Sequence, residues 1–379
     1  MEIIILTACE IRLYGADTVQ KISAYQLFTI TFIFQLGTTI IFGFGGTAGR
    51  EAWIAELISC SLGVIIILIY TTLMRMNPGL SLVEWFPAQL GRWIGTPIAF
   101  LYPLLFLYTV GRIVADIRDM VSTTILNNTP LLLITGLFVI IIAYCVYGGA
   151  QIIARLGEIF FPIVILIFSI EIILLFSSGV MHITNIEPVL EHGWGPIWNV
   201  VYPAGITQPF GETLALAMIW PLSKTPSKVM KITVLSTLLS GIMIACLDIF
   251  VISVFGGVFS RFLYPLYTLL SLISVGKFIE NLQMFGVLYF LMTALLKGAI
   301  YMYAALKGVQ QLTKLKSYHA LMIPGCIIAL LLGMTMSQNI AEHIYYHHFK
   351  ILVPYVWVPL FIILPTALLL VAWFRQLKK

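Results

Sequence analysis

Long apolar runs, separated by short polar or Gly/Pro-containing stretches, dominate the chain from residue 23 onwards. A membrane-spanning helix needs about 20 mostly apolar residues, and most of these runs have that length. Helices are the expected form because a lipid-exposed strand would leave backbone polar groups unpaired. The pattern predicts ten spanning helices, over residues 23–46, 52–74, 98–121, 131–147, 157–176, 200–221, 232–255, 282–306, 321–336 and 351–374.

Composition supports a membrane protein and excludes two other classes. Apolar residues make up 60% of the 379 positions and charged residues 10%, whereas soluble domains average about 45–50% and about 25%. Intrinsic disorder requires the opposite balance of charge and hydrophobicity. The net charge of +5 comes from basic residues scattered among short loops, so we expect no nucleic-acid partner.

We expect a single transmembrane domain over residues 23–374, made of two halves, 23–176 and 200–374. An N-terminal tail (1–22), which does not resemble a signal peptide, precedes it, and a short C-terminal segment (375–379) follows it. Of the 21 Lys and Arg residues, 14 fall on the side of the two termini, six on the other, and Lys297 within a helix. The positive-inside rule therefore places both termini in the cytoplasm. Residues 262–275, in an outer loop, predict an interfacial or re-entrant helix because this apolar run is too short to span.

Two of the predicted helices, the first and the sixth, are interrupted in their middle. Interrupted helices at corresponding positions of two halves are typical of inverted-repeat transporters, in which the half-helix ends bind a small substrate near the membrane midplane. Gly and Pro are also common in ordinary membrane helices, and no residue-level similarity joins the halves, so the repeat is inferred from position alone. The interrupting residues are Gln35, Gly37, Thr38 and Thr39 in the first helix and Thr207, Gln208, Pro209, Gly211 and Glu212 in the sixth.

Lys297 lies near the middle of the eighth predicted helix, where a charge is costly unless it is paired or hydrated. Tyr289, Thr293, Lys297 and Tyr301 recur every four residues, which predicts one polar stripe facing the protein interior. Glu212 is the natural partner of Lys297. The two groups could bind a zwitterion, pair with each other, or carry a coupling proton; a purely structural lysine is the alternative.

Other charged groups in the predicted helices have less specific interpretations. Asp248 and Glu171 lie nearer the outer ends, where we expect hydration or bonds to their own helix. Arg112 and Asp116, four residues apart, can form an ion pair. The five cysteines and six histidines have neither disulfide nor metal-site spacing. No phosphate loop, nucleophile elbow or paired acids with hydrolase spacing occur either, so we predict no cofactor, no catalytic residues and no enzymatic activity. We also predict no metal site; a role for sodium stays open, although no cluster of carboxylates and hydroxyls marks a site for it.

Three stretches resemble the permease-like B subunits of bacterial spore nutrient-germinant receptors, within the amino acid/polyamine/organocation superfamily. They are KISAYQLFTITFIFQLGTTIIFG (21–43), PFGE followed by TLALAMIWPL (209–222), and the eighth helix with its following loop, including LLKGAIYMYAALKGVQQLTKLKSY (280–318). The resemblance extends over nearly the whole chain after residue 20. The N-terminal tail departs from the family pattern, which begins near Lys21.

This resemblance implies an all-α membrane protein with a LeuT-like 5+5 inverted repeat and broken helices one and six. It implies a multi-pass protein of the inner spore membrane, in contact with lipid and assembled with A and C subunits. The expected ligand is a small-molecule germinant similar to an amino acid. The residues expected to bind it are Gly37, Thr38, Thr39, Phe210, Gly211, Glu212, Thr293, Lys297 and Tyr301.

Three functions remain compatible with this pattern, because a fold does not decide function. The first is a sensor in which ligand binding shifts a transporter-like conformational equilibrium and signals to partner subunits. The second is a secondary active permease for amino acids or amines, proton-coupled through Glu212 or Lys297. The third is a channel that releases ions or small solutes when the germinant binds.

Overall fold

The computed structural model of the protein describes residues 21–275, 279–280, 282–337 and 342–377. The predicted tail therefore lies outside the described residues except for its last two positions. The described chain is almost entirely helical. Its α-helices are α1 Ala24–Leu36, α2 Thr39–Phe42, α3 Ala52–Met76, α4 Leu82–Leu90, α5 Arg92–Thr124, α6 Leu131–Tyr147, α7 Gly149–Ser178, α8 Gly195–Val200, α9 Val229–Phe255, α10 Pro265–Leu272, α11 Gln283–Thr313, α12 Met322–Thr335 and α13 Leu364–Leu377.

Other helical geometries and one small hairpin join these elements. Two π-helical stretches continue the chain from α8 and into α13, and 3₁₀-helices fill several connections. A two-stranded antiparallel hairpin, β1 Ser274–Val275 with β2 Ile279–Glu280, precedes α11. The π-helices are Val201–Phe210 and Glu342–Ile363, and the 3₁₀-helices are Phe44–Glu51, Ile183–Ile186, Gly211–Met218, Trp220–Leu222, Pro226–Lys228, Gly256–Arg261 and Tyr318–Leu321.

Seven helices of the described residues are long and apolar enough to cross a membrane. They begin or end at 3₁₀ turns in several cases and cover Gly45–Met76, Arg92–Thr124, Gly149–Ser178, Pro226–Arg261, Gln283–Thr313, Tyr318–Thr335 and Phe349–Leu377. Two further apolar helices, α1 and α6, are shorter. Leu132, Ile140 and Tyr144 on α6 are 60%, 64% and 73% exposed, as expected of a face that contacts lipid tails.

The structure corrects two details of the loops predicted from the sequence. The 262–275 segment contains the eight-residue helix α10 and then enters β1, so the helix is shorter than the apolar run. Helix α4 lies in a connection that the apolar pattern left unassigned. Its start is marked by a capping box in which the Ser81 and Glu84 side chains bond each other's backbone N–H groups.

Hydrogen bonds between residues far apart in sequence fix the position of the broken segments relative to each other, and of α11 relative to α4. The backbone N–H of Ile22 donates to the carbonyl of Leu222, and the N–H of Lys224 donates to the carbonyl of Ile22, both at 2.8 Å. This bridge ties the start of α1 to the end of the sixth predicted helix. On α11, the Gln311 side chain accepts a 2.7 Å hydrogen bond from Ser81 Oγ, which fixes its last turns against the start of α4.

Candidate ligand site at the two helix breaks

The first predicted helix is broken where the sequence indicates. Helix α1 ends at Leu36, and Gly37 follows with φ +38° and ψ −131°. Residues that carry a Cβ atom rarely adopt this backbone conformation. The chain then resumes as the short helix α2 from Thr39. The Gly37 N–H still donates to the Ile33 carbonyl at 2.9 Å, whereas the Gly37 carbonyl accepts a 2.7 Å hydrogen bond from Thr293 Oγ1.

The sixth predicted helix is also broken. Extended backbone interrupts it at Tyr202 and again at Gln208, directly before Pro209. Beyond Phe210 the chain continues as the 3₁₀-helix Gly211–Met218, which carries Glu212 in its first turn. Pro209 lacks the backbone donor that a continuous helix would use at this point, which accounts for an interruption here.

Lys297 on α11 forms an ion pair with Glu212, which confirms the pairing suggested by the sequence. The Lys297 side chain is 3% exposed and that of Glu212 is 2% exposed. Removing two charges from water is costly. Loss of either partner would leave the other as an uncompensated buried charge, which is strongly unfavourable. The pair joins the broken sixth segment to α11.

The Lys297 side chain lies directly against the break in the first helix. A Cβ atom placed on Gly37 would lie 2.5 Å from Lys297 Cδ and 3.0 Å from its Nζ. The ammonium group is also 5.4 Å from the centre of the Phe34 ring, within the range of a cation–π contact. The two breaks and α11 therefore converge on one cluster, here called the Lys297 cluster: Gly37, Glu212, Thr293, Lys297 and Tyr301.

Aromatic rings close one side of the Lys297 cluster. The Tyr301 ring lies 5.1 Å from Phe34 and 5.6 Å from Phe106, measured between ring centres. Its hydroxyl oxygen is buried and has no hydrogen-bond partner among the described residues. Tyr289, Thr293, Lys297 and Tyr301 are all 2% exposed or less, so the predicted stripe does face the interior. The cluster is closed to solvent in this structure.

A second polar contact joins the broken helices two residues before Gly37, at Gln35. Gln35 Nε2 donates to Thr213 Oγ1 and to Thr237 Oγ1, both at 2.8 Å. Gln35 Oε1 in turn accepts from Ser240 Oγ at 2.7 Å. Gln35 and these partners are fully buried, so one amide links α1, the sixth segment and α9 with its hydrogen bonds satisfied.

Replacing Gln35 with leucine is expected to lower the free energy of unfolding by about 1–3 kcal/mol, because buried hydroxyls lose their shared partner. Thermal unfolding of the purified protein measures this effect. Gln310→Leu is the matched control, since the Gln310 amide makes an exposed bond to the Leu315 carbonyl. Equal stability of the two variants would contradict a structural role for the Gln35 network.

Other predicted site residues at the breaks also contact parts of the fold outside the Lys297 cluster. Phe210 packs against Gly63 on α3 and lies near Gly241 on α9, where an added Cβ would be 2.5 Å and 3.5 Å from its side chain. The Gly211 carbonyl accepts a 3.2 Å hydrogen bond from Tyr70 Oη. Thr38 is buried at the break, and Thr39 lines a cavity together with residues of α3 and α9.

Several buried polar groups near the breaks were missed or misjudged from the sequence. Tyr70 also bonds the Phe361 carbonyl, and nothing in its local sequence marks this contact. Asp116 pairs with His343 Nε2 at 2.9 Å, a partner 227 positions away. The expectation that Glu171 bonds to its own helix is wrong: it is 7% exposed, and neither carboxylate oxygen has a hydrogen-bond partner among the described residues.

The fold is shared with two solved structures, one of them a transporter. The structure of Mhp1, a nucleobase-cation-symport-1 family transporter in a closed conformation with bromovinylhydantoin bound, aligns with TM-score 0.64 at 14% identity, covering 83% of this chain and 72% of Mhp1. MhsT in complex with L-phenylalanine aligns with TM-score 0.58 at 19% identity, covering 92% and 84%. The molecule is therefore a helical membrane protein of the transporter-fold class.

The amino-acid sequence identifies the family within this class. The profile of the spore permease family, described as spore germination protein, matches residues 21–341, and the chain belongs to this family. Spore germination protein KB of Bacillus subtilis (strain 168) is 29% identical over 360 residues, covering 95% of this chain and 96% of that protein. Spore germination protein YndE of the same organism is 27% identical, covering 77% and 80%.

Proposed function

We propose that the protein is the nutrient-recognition subunit of a spore germination receptor and that it binds an amino acid at the Lys297 cluster. The observation that carries the proposal is the buried Lys297–Glu212 pair, which lies between two helix breaks. An amino acid presents a carboxylate and an ammonium group on one carbon. The carboxylate is complementary to Lys297 and the ammonium to Glu212, so a zwitterion can replace each partner of the pair.

The exchange of partners supplies the driving force that a recognition site needs. Separating Lys297 from Glu212 without a replacement would leave two uncompensated buried charges, which is strongly unfavourable. A zwitterion compensates both charges at once, whereas a singly charged ligand compensates one. Selectivity for amino acids therefore follows from the charge arrangement. L-phenylalanine bound to MhsT, which shares the fold, is consistent with a ligand of this class.

Ligand entry requires the cluster to open, since its side chains are buried. Because Lys297 is on α11 and Glu212 on the broken sixth segment, inserting a ligand between them moves these elements relative to each other. A ligand shifts a conformational equilibrium only as far as its affinities for the two states differ. We propose that this movement is the germination signal, passed to A and C subunits.

The proposed setting follows from the same family and from the charge pattern. The protein lies in the inner spore membrane with both termini in the cytoplasm, in agreement with the excess of basic residues on that side. Ten helices in two inverted halves cross the membrane, with the breaks in the first helix of each half. Matched breaks of this type support the repeat.

A secondary active permease for amino acids or amines, proton-coupled through the same pair, is the second candidate, favoured by the transporter fold. The test is uptake of labelled amino acids by the purified protein in liposomes, with binding measured in parallel. We expect saturable binding of a zwitterionic amino acid without concentrative uptake. Accumulation driven by a proton gradient would instead establish the permease. Absence of binding across the amino acids tested would contradict both.

A further inference from the structure

A small cavity lies beyond the first break, bounded by α2 and the turn that follows it, by α3 and by α9. Its volume is about 20 Å³, and a cavity of this size holds one water-sized particle. Seven residues line it: Thr39, Gly43, Gly45, Glu56, Ile244, Leu247 and Asp248. Glu56 and Asp248 do not belong to the Lys297 cluster, so the inference does not rest on the proposed amino acid.

Two acidic side chains from different helices meet at this cavity. Glu56 is on α3 and Asp248, 8% exposed, is on α9, and both line the cavity. The ion pairs formed within the described residues involve other groups, so no described basic side chain compensates them. Two neighbouring carboxyl groups in a buried setting cannot both be charged without compensation, which a proton or a bound cation supplies.

A hydroxyl group independently points to a ligand in the same cavity. Thr39 is 5% exposed and lines the cavity, and its Oγ1 has no hydrogen-bond partner among the described residues. Oε1 of Glu56 is buried and lacks a hydrogen-bond partner as well. Buried polar atoms are nearly always satisfied by protein, water or an ion, so these oxygens are available to bond an ion or a water molecule in the cavity.

We infer that this cavity binds one dehydrated monovalent cation, Na⁺ or K⁺, between Glu56, Asp248 and Thr39. These side chains supply at most five oxygen atoms, and the cavity has no room for the waters that Mg²⁺ retains. The cation bridges α2, α3 and α9. Its occupancy stabilises the half of the first helix that follows the break.

Equilibrium binding of radioactive Na⁺, and of Rb⁺ as a substitute for K⁺, to the purified full-length protein tests the inference directly. We expect saturable binding of about one ion per chain, weakened about tenfold or more in Glu56→Gln and Asp248→Asn and less in Thr39→Val. Glu171→Gln is the matched control, because it removes a buried carboxylate that does not line the cavity, and we expect it to bind as the unmodified protein does.

Three results would overturn the inference. Absence of saturable binding to the unmodified protein overturns the inference even if the variants fail to fold. Binding that is unchanged in Glu56→Gln and Asp248→Asn, or equally weakened in Glu171→Gln, also overturns it, as does saturable binding of Ca²⁺ with none of Na⁺ or Rb⁺. Because no amino acid is added, failure of this test leaves the proposed nutrient site unaffected.

Discussion

Replacement of Lys297 with methionine is expected to abolish the nutrient response and to lower the free energy of unfolding by roughly 3–5 kcal/mol. Methionine has a similar length but no charge, so it leaves Glu212 as an uncompensated buried carboxylate and removes the proposed partner of the ligand carboxylate. Germination of spores that carry the variant measures the response, and thermal unfolding of the purified protein measures the stability.

A double variant separates the two effects. Lys297→Met combined with Glu212→Gln removes both charges, so most of the lost stability is expected to return while the nutrient response stays absent. Lys231→Met, at an exposed lysine, is the control for loss of a positive charge and is expected to respond normally. A full nutrient response from Lys297→Met would remove Lys297 from the proposed site.

Replacement of Gly37 with alanine is the other change with a large expected effect. The added Cβ would lie 2.5 Å from Lys297 Cδ, and the backbone has φ +38°. Overpacking and backbone strain cost about 1–3 kcal/mol each. We expect reduced stability and a displaced Lys297 side chain, hence loss of amino-acid binding in the liposome assay.

Gly79→Ala distinguishes these two causes. Gly79 also has a positive φ, +79°, but an added Cβ there meets nothing within 4 Å. It is therefore expected to show the backbone cost alone, with normal amino-acid binding. If Gly37→Ala and Gly79→Ala behave alike in both stability and binding, close contact between Gly37 and Lys297 is not important to the site.

The helix breaks were predictable because single residues cause them. The central ion pair was predictable because few ionisable groups lie deep in the predicted helices. Gly37 and Pro209 mark the interruptions by their own backbone chemistry. The four-residue spacing of the α11 stripe defines one face. Lys297 and Glu212 were the two ionisable groups placed deepest in the predicted helices, and a buried charge needs a partner, so their pairing followed without knowledge of the packing.

The remaining parts of the site depend on packing between distant segments. Glu56 and Asp248 are 192 positions apart, and their meeting is decided by how α3 and α9 pack. The direction of the Phe210 ring depends on Gly63 and Gly241, which leave space for it. Several helices also extend beyond the apolar runs, as α5 and α11 do, since water can solvate polar side chains at helix ends without interrupting backbone hydrogen bonds.

The hydrogen bond between Ser81 and Gln311 connects a movement of α11 at Lys297 to helix α4. Lys297 and Gln311 lie on the same uninterrupted helix, 14 residues apart, which corresponds to about 21 Å along its axis. A continuous helix moves as a rigid body, so a tilt produced at Lys297 also displaces the end of the helix at Gln311. α4 is bonded to that end through Ser81, so a tilt of α11 is expected to move α4 as well.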